Sequence, residues 1–383
     1  MRTLSRPCPC ARPTCPREHR LSDTPAIIAD EEASSALGAR LAQAPAIALD
    51  TEFLRERTYR AELCLLQLAD EQGPVCVDPL ALEDLTDLAQ VLGTSSPLKV
   101  MHASRQDIEV LLPTLGLVQP VFDTQIAAAL AGLPAQIGYG ELVRRKLGIE
   151  LAKAHTRTDW STRPLAPEQV AYALDDVRYL LPLMQALQED LLRLGRSDWL
   201  SEELAGLTDP SVYVVDPRQA WQRVKGLRGL DPERTRLARE LAAWRERRAM
   251  ERNRPRGWIL DDVSLREIVL RAPRTEEGLA AIEGIAPGLL KHCGAQILER
   301  VRAADLPSEL PPVNLRQRPD PARTALLKKL SGVHQSIAAE LTLSPEVLAT
   351  RRDLERLADG ERDLPVLTGW RRGVIGEPLL AAL

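Results

Sequence analysis

The stretch Ala46-Ile-Ala-Leu-Asp-Thr-Glu52 decides the fold, because it is a short apolar run that ends in two acids. Such a run is typical of a buried β-strand that reaches the edge of its sheet. Residues two apart on a strand point to the same face, so Asp50 and Glu52 are expected to project together. Two like charges this close are costly unless something neutralises them, and a divalent cation does so. The alternative is a solvated strand end followed by a turn.

Strand and helix patterns alternate around this stretch, from about residue 25 to residue 200. Further strands are predicted at Leu63–Leu68, Val75–Val77 and Leu98–His102. Helices are predicted at about 104–115, 124–131, 139–147, 167–174 and 176–194, with Ser104 and Asp123-Thr124 as N-caps. Short consecutive strands followed by this alternation predict an α/β domain, in which a mixed sheet carries helices on its faces.

Strand signals nearly vanish after about residue 208, and helices are predicted at 232–252, 262–271, 275–283, 287–303, 321–341 and 344–358. The Pro-rich segment 305–320 is typical of a linker. Residues 1–22, rich in Pro, Arg and Cys without periodicity, are predicted to be a disordered leader. We therefore expect an α/β domain over 23–207, an all-α domain over 208–304 and a smaller all-α domain over 321–383.

The 383 residues carry a net charge of −4, but that charge is unevenly distributed. Between residues 218 and 256 stand 13 Lys and Arg against 5 Asp and Glu, which predicts an anion-binding part beside an acidic one. No apolar run approaches the ~18 residues of a membrane span, and no secretory signal is visible. The six scattered Cys favour a reducing cytoplasm, and a zinc site at Cys8, Cys10 and Cys15 lacks an evident fourth ligand.

Three more residues extend the acidic pattern. Asp107 falls in the first turn of the helix after Leu98–His102, where the alternative is an acid stabilised by the helix dipole. Tyr172 and Asp176 are four apart on one helix face, where the alternative is a surface pair. Carboxylates alone suit two Mg²⁺ or Mn²⁺ ions rather than zinc. Two such ions, ~3.5–4 Å apart, promote phosphodiester cleavage, and a Tyr hydroxyl is suited to orienting the attacking water.

Four segments carry a resemblance: Asp50-Thr-Glu-Phe53, His102-Ala-Ser-Arg-Gln-Asp107, Asp159-Trp-Ser-Thr-Arg-Pro-Leu165 and Tyr172-Ala-Leu-Asp-Asp176. In this order and spacing, from about 25 to 200, they closely resemble ribonuclease D. That family belongs to the DEDD 3′→5′ exonucleases, in the branch with Tyr in the third motif. The resemblance implies a ribonuclease H-like exonuclease domain at 23–207.

The resemblance also implies roles for individual residues. Asp50, Glu52, Asp107 and Asp176 would hold two Mg²⁺ or Mn²⁺ ions, and Tyr172 would position the nucleophile. Phe53 and His102 are weaker candidates for contacts with the terminal nucleotide, the alternatives being a core Phe and a strand-end His. Asp175 stands where the family usually has a small residue and is expected to perturb local pKa values. Asp123 is expected to be a helix cap.

The basic half resembles an HRDC domain, the helical module of RecQ-type helicases and ribonuclease D. The resemblance rests on residues 253–260, 265–268 and 284–288 within Trp221–Val301, and a weaker one covers 321–383. Phosphate contacts are predicted for five arginines, for which a solvated helix face is the alternative. These are Arg245, Arg248, Arg252, Arg254 and Arg256.

The resemblance implies a monomeric cytoplasmic exoribonuclease that trims the 3′ ends of tRNA precursors and other structured RNAs and releases nucleoside 5′-monophosphates. A DNA 3′→5′ exonuclease and a catalytically silent RNA-binding protein on the same fold remain alternatives. We also expect deletion of residues 210–383 to weaken RNA binding more than it changes the cleavage step.

Overall fold

The computed structural model describes residues 27–152, 158–227, 229–304 and 320–383. The predicted leader, with Cys8, Cys10 and Cys15, lies outside the described residues, and so does almost all of the predicted linker. In the described part of the chain, no helix is long and apolar enough to cross a membrane.

A mixed six-stranded sheet is the centre of the first half, in the order β1-β4-β3-β2-β5-β6. Its strands are β1 Ile27–Ile28, β2 Ala46–Leu54, β3 Glu62–Asp70, β4 Gly73–Val77, β5 Leu98–Met101 and β6 Val121–Asp123. The four predicted strands are confirmed as β2 to β5. β1 and β6 have only two and three residues, too short to produce a period-two pattern.

Eight helices accompany the sheet: α1 Glu31–Leu41, α2 Thr86–Gly93, α3 Arg105–Leu115, α4 Thr124–Leu130, α5 Tyr139–Leu147, α6 Pro167–Arg178, α7 Leu180–Leu194 and α8 Ser197–Leu207. On one face, Ile47 and Leu49 of β2 lie in a core with α1, α2 and α3. On the other, Ala48 lies in a core with α4, α5 and α7. Alternate β2 side chains therefore enter two separate cores, which fixes its register.

The break between α6 and α7 lies at Tyr179, whereas the sequence predicted it near residue 175. Tyr179 leaves the helical region (φ −110°, ψ 3°), and its N–H donates to the Tyr139 hydroxyl at 3.2 Å. This tertiary contact replaces a helical hydrogen bond, and no local pattern announces it. Helix α6 therefore continues past Asp176, so Tyr172 and Asp176 lie on one helix, one turn apart as their spacing predicts.

The second half is helical, as predicted. It contains α9 Pro232–Arg252, α10 Arg256–Ile259, α11 Asp262–Arg271, α12 Glu276–Ala280 and α13 Pro287–Ala303, then α14 Pro321–Glu340, α15 Pro345–Leu348, α16 Arg351–Ala358, α17 Gly369–Arg371 and α18 Glu377–Ala381. Short 3-10 helices cover Pro210–Val212, Pro217–Arg223 and Pro365–Leu367, and Arg372–Gly376 is a π-helical turn. Helices α9 to α13 enclose their own core, which includes Leu237, Leu241 and Trp244.

Residues 321–383 share one continuous apolar cluster with the α/β domain, rather than forming a separate core. Trp370 stacks on Trp199 of α8, with ring centroids 4.4 Å apart. The Arg196 guanidinium donates to the carbonyls of Leu130 and Leu341, each at 2.7 Å. The predicted smaller all-α domain therefore packs on the α/β domain, a contact that the sequence did not predict because amphipathic patterns do not reveal which surface a helix will cover.

Candidate active site

Strand β2 presents Asp50 and Glu52, and its neighbours in the sheet fix their positions. In the antiparallel pair with β3, Asp50 lies opposite Gln67 and Glu52 opposite Leu65, and the register shifts immediately after Glu52. Such a bulge re-aims the chain beyond it. The two acids therefore stand on one face of the sheet, at the point where regular pairing ends.

Helix α3 delivers the third acid. It follows β5, the parallel neighbour of β2, so its first turn lies beside the two β2 acids. Asp107 is buried there, and its carboxylate accepts a 2.5 Å hydrogen bond from the Thr51 hydroxyl. Thr51 thus ties the first motif to the second. This contact was not predicted, because Thr51 had no signal beyond its place between two acids.

Helix α6 supplies the fourth acid and the tyrosine. The Tyr172 hydroxyl hydrogen-bonds the Asp176 carboxylate one turn further along the helix. The Tyr172 ring packs beside Trp160, with centroids 6.2 Å apart. A cavity of about 460 Å³ opens at this point, lined on its other side by Tyr139 and Arg144.

The charges of Asp107 and Asp176 act on both acids of β2, which shows that the four carboxylates converge. Burial raises the pKa of Asp50 well above its usual range, and the charges of Asp107, Asp176 and Glu52 raise it further. Burial also raises the pKa of Glu52 to about 8, with further increases from Asp176 and Asp107. Acids on two helices and a strand, up to 126 residues apart in the sequence, therefore act on the same volume.

The other two acids are affected in the same direction. Burial raises the pKa of Asp107 to about 6, although the hydrogen bond from Thr51 opposes the rise. Burial raises the pKa of Asp176 to about 7, and the charge of Asp175 adds to the rise against the Tyr172 hydrogen bond. The charge of Asp175 therefore acts on the pKa of its neighbour in the site. Asp175 itself is paired with Arg178 at 2.7 Å.

These four acids have the donor chemistry of a divalent cation site. They offer only oxygen ligands, and none has an ion-pair partner among the described residues. Clustered buried carboxylates require either protons or cations for neutrality. Within the described ranges, no three His, Cys, Asp or Glu groups already form a cation cage.

Two weaker site predictions have similar outcomes. Both ring nitrogens of His102 are engaged within the protein, with the Thr124 hydroxyl at 2.9 Å and the Ile137 carbonyl at 3.0 Å. Both ring nitrogens are thus used inside the protein, which favours the alternative of a strand-end His. Phe53 is half-buried against the core beneath β2, which agrees with the alternative of a core Phe.

Asp123 is the predicted cap of α4 and also braces the turn before α3. Its carboxylate accepts from the N–H groups of Gln125 and Ile126, and from the N–H and hydroxyl of Ser104. Ser104 begins α3 without capping it, because its hydroxyl is used in this contact. Asp123 thus holds in place the turn that carries Asp107.

The five basic candidates separate by exposure. Arg245 is buried and donates to the Leu260 carbonyl and to Asp262, so its prediction as an RNA contact is wrong. Arg248 and Arg256 are half-buried, beside Gln296 and Glu246 respectively. Arg252 and Arg254 are exposed. Helical phase separates these residues, but sequence alone could not show which face of α9 is covered.

Comparisons with known proteins agree with this geometry. A family model described as a 3′-5′ exonuclease matches residues 25–192, and one described as an HRDC domain matches 234–301. Ribonuclease D of Gluconacetobacter diazotrophicus is 42% identical over 93% of this chain and 92% of its own length. Ribonuclease D of Granulibacter bethesdensis is 40% identical over 94% of this chain and 92% of its own length.

Among solved structures, that of Escherichia coli RNase D, described as an exoribonuclease involved in structured RNA processing, superposes with a TM-score of 0.83. Its sequence is 31% identical, and the superposition covers 93% of this chain and 98% of the Escherichia coli chain. The agreement therefore extends through both the sheet domain and the helical half. The chain belongs to the ribonuclease D family of 3′→5′ exoribonucleases.

Proposed function

We propose that Asp50, Glu52, Asp107 and Asp176 hold two divalent cations, Mg²⁺ or Mn²⁺, for the hydrolysis of RNA from its 3′ end. The observation that carries this proposal is the convergence of the four carboxylates, none of which has a cationic partner in the described ranges. The charges of Asp107 and Asp176 raise the pKa values of both acids on β2. Nucleoside 5′-monophosphates are the expected products. The physiological substrates would be tRNA precursors and other structured RNAs, cleaved in the cytoplasm by a monomer.

Bound cations would supply charge neutralisation and Lewis acidity at the scissile phosphate. The protein's own contribution is to orient the reactants. Asp50 and Glu52 stand on a rigid strand, and Thr51 restrains Asp107. The Tyr172 hydroxyl, beside the Asp176 carboxylate, would orient the attacking water. The cavity between Tyr172 and Tyr139 would receive the terminal nucleotide.

The body of the RNA would follow a cleft between the sheet domain and the helical half. This cleft has a volume of about 670 Å³ and is lined by Arg55, Arg60, Arg223 and Arg256, among other residues. Its walls are held together where the Asn253 side-chain oxygen accepts from the N–H groups of Tyr59 and Arg60. Arginine guanidinium groups suit phosphate oxygens. Arg55 and Arg256 pair with Glu109 and Glu246 of the same cleft. Arg60 and Arg223 are therefore the arginines that we expect to meet phosphate.

The test is cleavage of a 5′-labelled RNA that has a duplex body and a single-stranded 3′ tail. With Mg²⁺ we expect a ladder that shortens from the 3′ end, and no shortening with EDTA. A matched DNA oligonucleotide, run in parallel, tests the alternative substrate. Binding of the RNA without any metal-dependent shortening would contradict the proposal and favour the catalytically silent alternative. Faster shortening of the DNA would contradict the substrate assignment.

Replacing Tyr172 with Phe should reduce kcat by about 10²-fold, because a positioned hydroxyl in proton-transfer chemistry contributes roughly 10²–10⁴-fold. KM for RNA should change little, since the ring and its contact with Trp160 remain. Single-turnover cleavage at saturating enzyme would measure the chemical step. Tyr213→Phe is the matched control, because that hydroxyl donates to the Leu207 carbonyl instead. Full activity of Tyr172→Phe would contradict the role.

Cation affinity should rise steeply with pH. Glu52, Asp176 and Asp107, with pKa values of about 8, 7 and 6, must each lose a proton to bind a cation. From pH 6 to pH 8 we expect the affinity for Mn²⁺ to rise about a hundredfold or more. The stability of the cation-free protein should change in the opposite direction and fall as pH rises. Raised carboxyl pKa values stabilise the fold only at low pH, and this contribution is lost as pH rises to about 8. Calorimetric titrations at pH 6, 7 and 8 would measure the affinity, and a flat profile would contradict the assignment.

The exposed Arg254 and Arg252 should each contribute to RNA binding through phosphate contact. Arg254→Ala should weaken the affinity and reduce the slope of log K against log salt by about 1. Arg351→Ala is the matched control, because that side chain is highly exposed but lies on α16. Fluorescence anisotropy with a labelled RNA at several salt concentrations measures both. An unchanged salt slope in Arg254→Ala would show that Arg254, just after α9, makes no phosphate contact.

A further inference from the structure

A buried glutamine beside the acidic site has no hydrogen-bond partner among the residues that the structure describes. The Gln67 side chain is fully buried, yet neither its amide nitrogen nor its amide oxygen has a hydrogen-bond partner. A buried amide without partners is unfavourable, and most buried side-chain polar atoms are bonded. A methionine or leucine would fill the same volume without this penalty. The amide therefore needs a hydrogen-bond partner, which the apolar core does not provide.

The register of the sheet places Gln67 in the acidic site. It lies directly opposite Asp50 on β2, and opposite Cys76 on β4. Residues directly opposite on antiparallel strands point to the same face, with Cβ atoms typically ~4.5–5.5 Å apart. Gln67 therefore shares its face of the sheet with Asp50.

The surroundings of this face are otherwise apolar. Leu65, two residues before Gln67, and Cys76 pack in one cluster with Ala173 of α6, the helix that carries Tyr172 and Asp176. The amide is therefore enclosed between the sheet and that helix. Burial raises the pKa of the Cys76 thiol, and the charge of Glu52 raises it further, so the field of the acids extends across β3 to β4. The acids are the polar groups toward which the amide can turn.

We propose that Gln67 is a positioning residue of the active site, whose amide N–H donates to the Asp50 carboxylate when that carboxylate binds a cation. An ionised carboxylate only accepts hydrogen bonds, so the amide nitrogen is the matching donor. One Asp50 oxygen is then oriented by Gln67 while the other is free to coordinate. This inference rests on the proposed cation site. It adds to that site a residue that orients the Asp50 ligand.

The first experiment compares the wild-type protein with Gln67→Met and Leu65→Met. Both variants place Met on the same face of β3, but only the first removes the amide. For Gln67→Met we expect the melting temperature without cations to be unchanged or higher, because an unpaired buried amide is lost. We expect its affinity for Mn²⁺, measured by calorimetry, to fall about 10–100-fold, as found when partners of metal ligands are removed. Leu65→Met should retain wild-type affinity.

Kinetics provides a second readout. In Gln67→Met, kcat at subsaturating Mg²⁺ should fall by about the same factor as the affinity, with KM for RNA within about twofold of wild type. A lower melting temperature with unchanged Mn²⁺ affinity would show a purely structural role and overturn the inference. Absence of Mn²⁺ binding in the wild type would instead overturn the cation site itself, so the two failures are distinguishable.

A crystal structure of the wild-type protein with Ca²⁺ provides a test if Gln67→Met does not fold. The inference requires the Gln67 amide nitrogen to lie within hydrogen-bond distance of an Asp50 oxygen. An amide that still points away from Asp50, with the cation bound, would overturn it.

Discussion

Replacing Asp50 with Asn should reduce turnover by at least about a thousandfold while the protein stays folded. Cation-mediated stabilisation of a phosphoryl transition state is worth several kcal/mol, and each 1.36 kcal/mol corresponds to tenfold in rate. The charges of all three other acids act on Asp50, so Asp50 is central to the cluster and its loss should prevent cation binding there. The same loss is expected for Asp176→Asn. Single-turnover cleavage of labelled RNA in Mg²⁺ would measure both.

The matched control is Asp175→Asn, which removes the same charge one residue from Asp176. Its side chain is paired with Arg178 outside the cluster, so activity should remain within a few-fold of wild type. The Asp50→Asn protein should also be no less stable than wild type without cations, since one of four mutually repelling buried acids is removed. Substantial turnover by Asp50→Asn would refute the assignment of the carboxylates.

Replacing Trp370 with Ala should destabilise the protein by about 3–5 kcal/mol, the usual range for removing a buried large aromatic side chain. Trp370 is 8% exposed and stacks on Trp199. Its indole N–H donates to Glu203, so the substitution also removes a polar contact with α8. The backbone N–H, which donates to Glu202, remains in the variant. Urea unfolding followed by circular dichroism would measure the change.

Trp258→Ala is the control for this measurement, because that side chain is 60% exposed and contacts Arg254 by a cation–π interaction. Its loss should cost less than about 1 kcal/mol. Equal destabilisation by the two substitutions would contradict the docking of 321–383 on the α/β domain.

This docking also changes the expected result of truncation. The sequence predicted that deletion of residues 210–383 would mainly weaken RNA binding. In the structure, that deletion exposes the apolar surface covered by Leu330, Leu357 and Leu379. The truncated chain is therefore expected to aggregate or unfold. Single arginine substitutions on α9 are the cleaner test of RNA binding.

The sequence by itself determined the chemistry of the site and most of the elements that carry it. Asp50 and Glu52 follow an apolar run, and period-two geometry alone places them on one face. Tyr172 and Asp176 are one helical turn apart for a similarly local reason. These relations depend on a few neighbouring residues, so they can be predicted without knowledge of the fold.

The tertiary structure decided everything that depends on which distant surfaces meet. The pairing of β2 with β3 places Gln67 opposite Asp50, packing buries Arg245, and the contact between Tyr139 and Tyr179 ends α6. The docking of residues 321–383 on the α/β domain also depends on which distant surfaces meet. Helical and strand periodicity specify that a face is apolar but not what covers it, because burial is a non-directional gain that many partners can supply. Only the packed fold, in which register and shape select one partner, makes that choice.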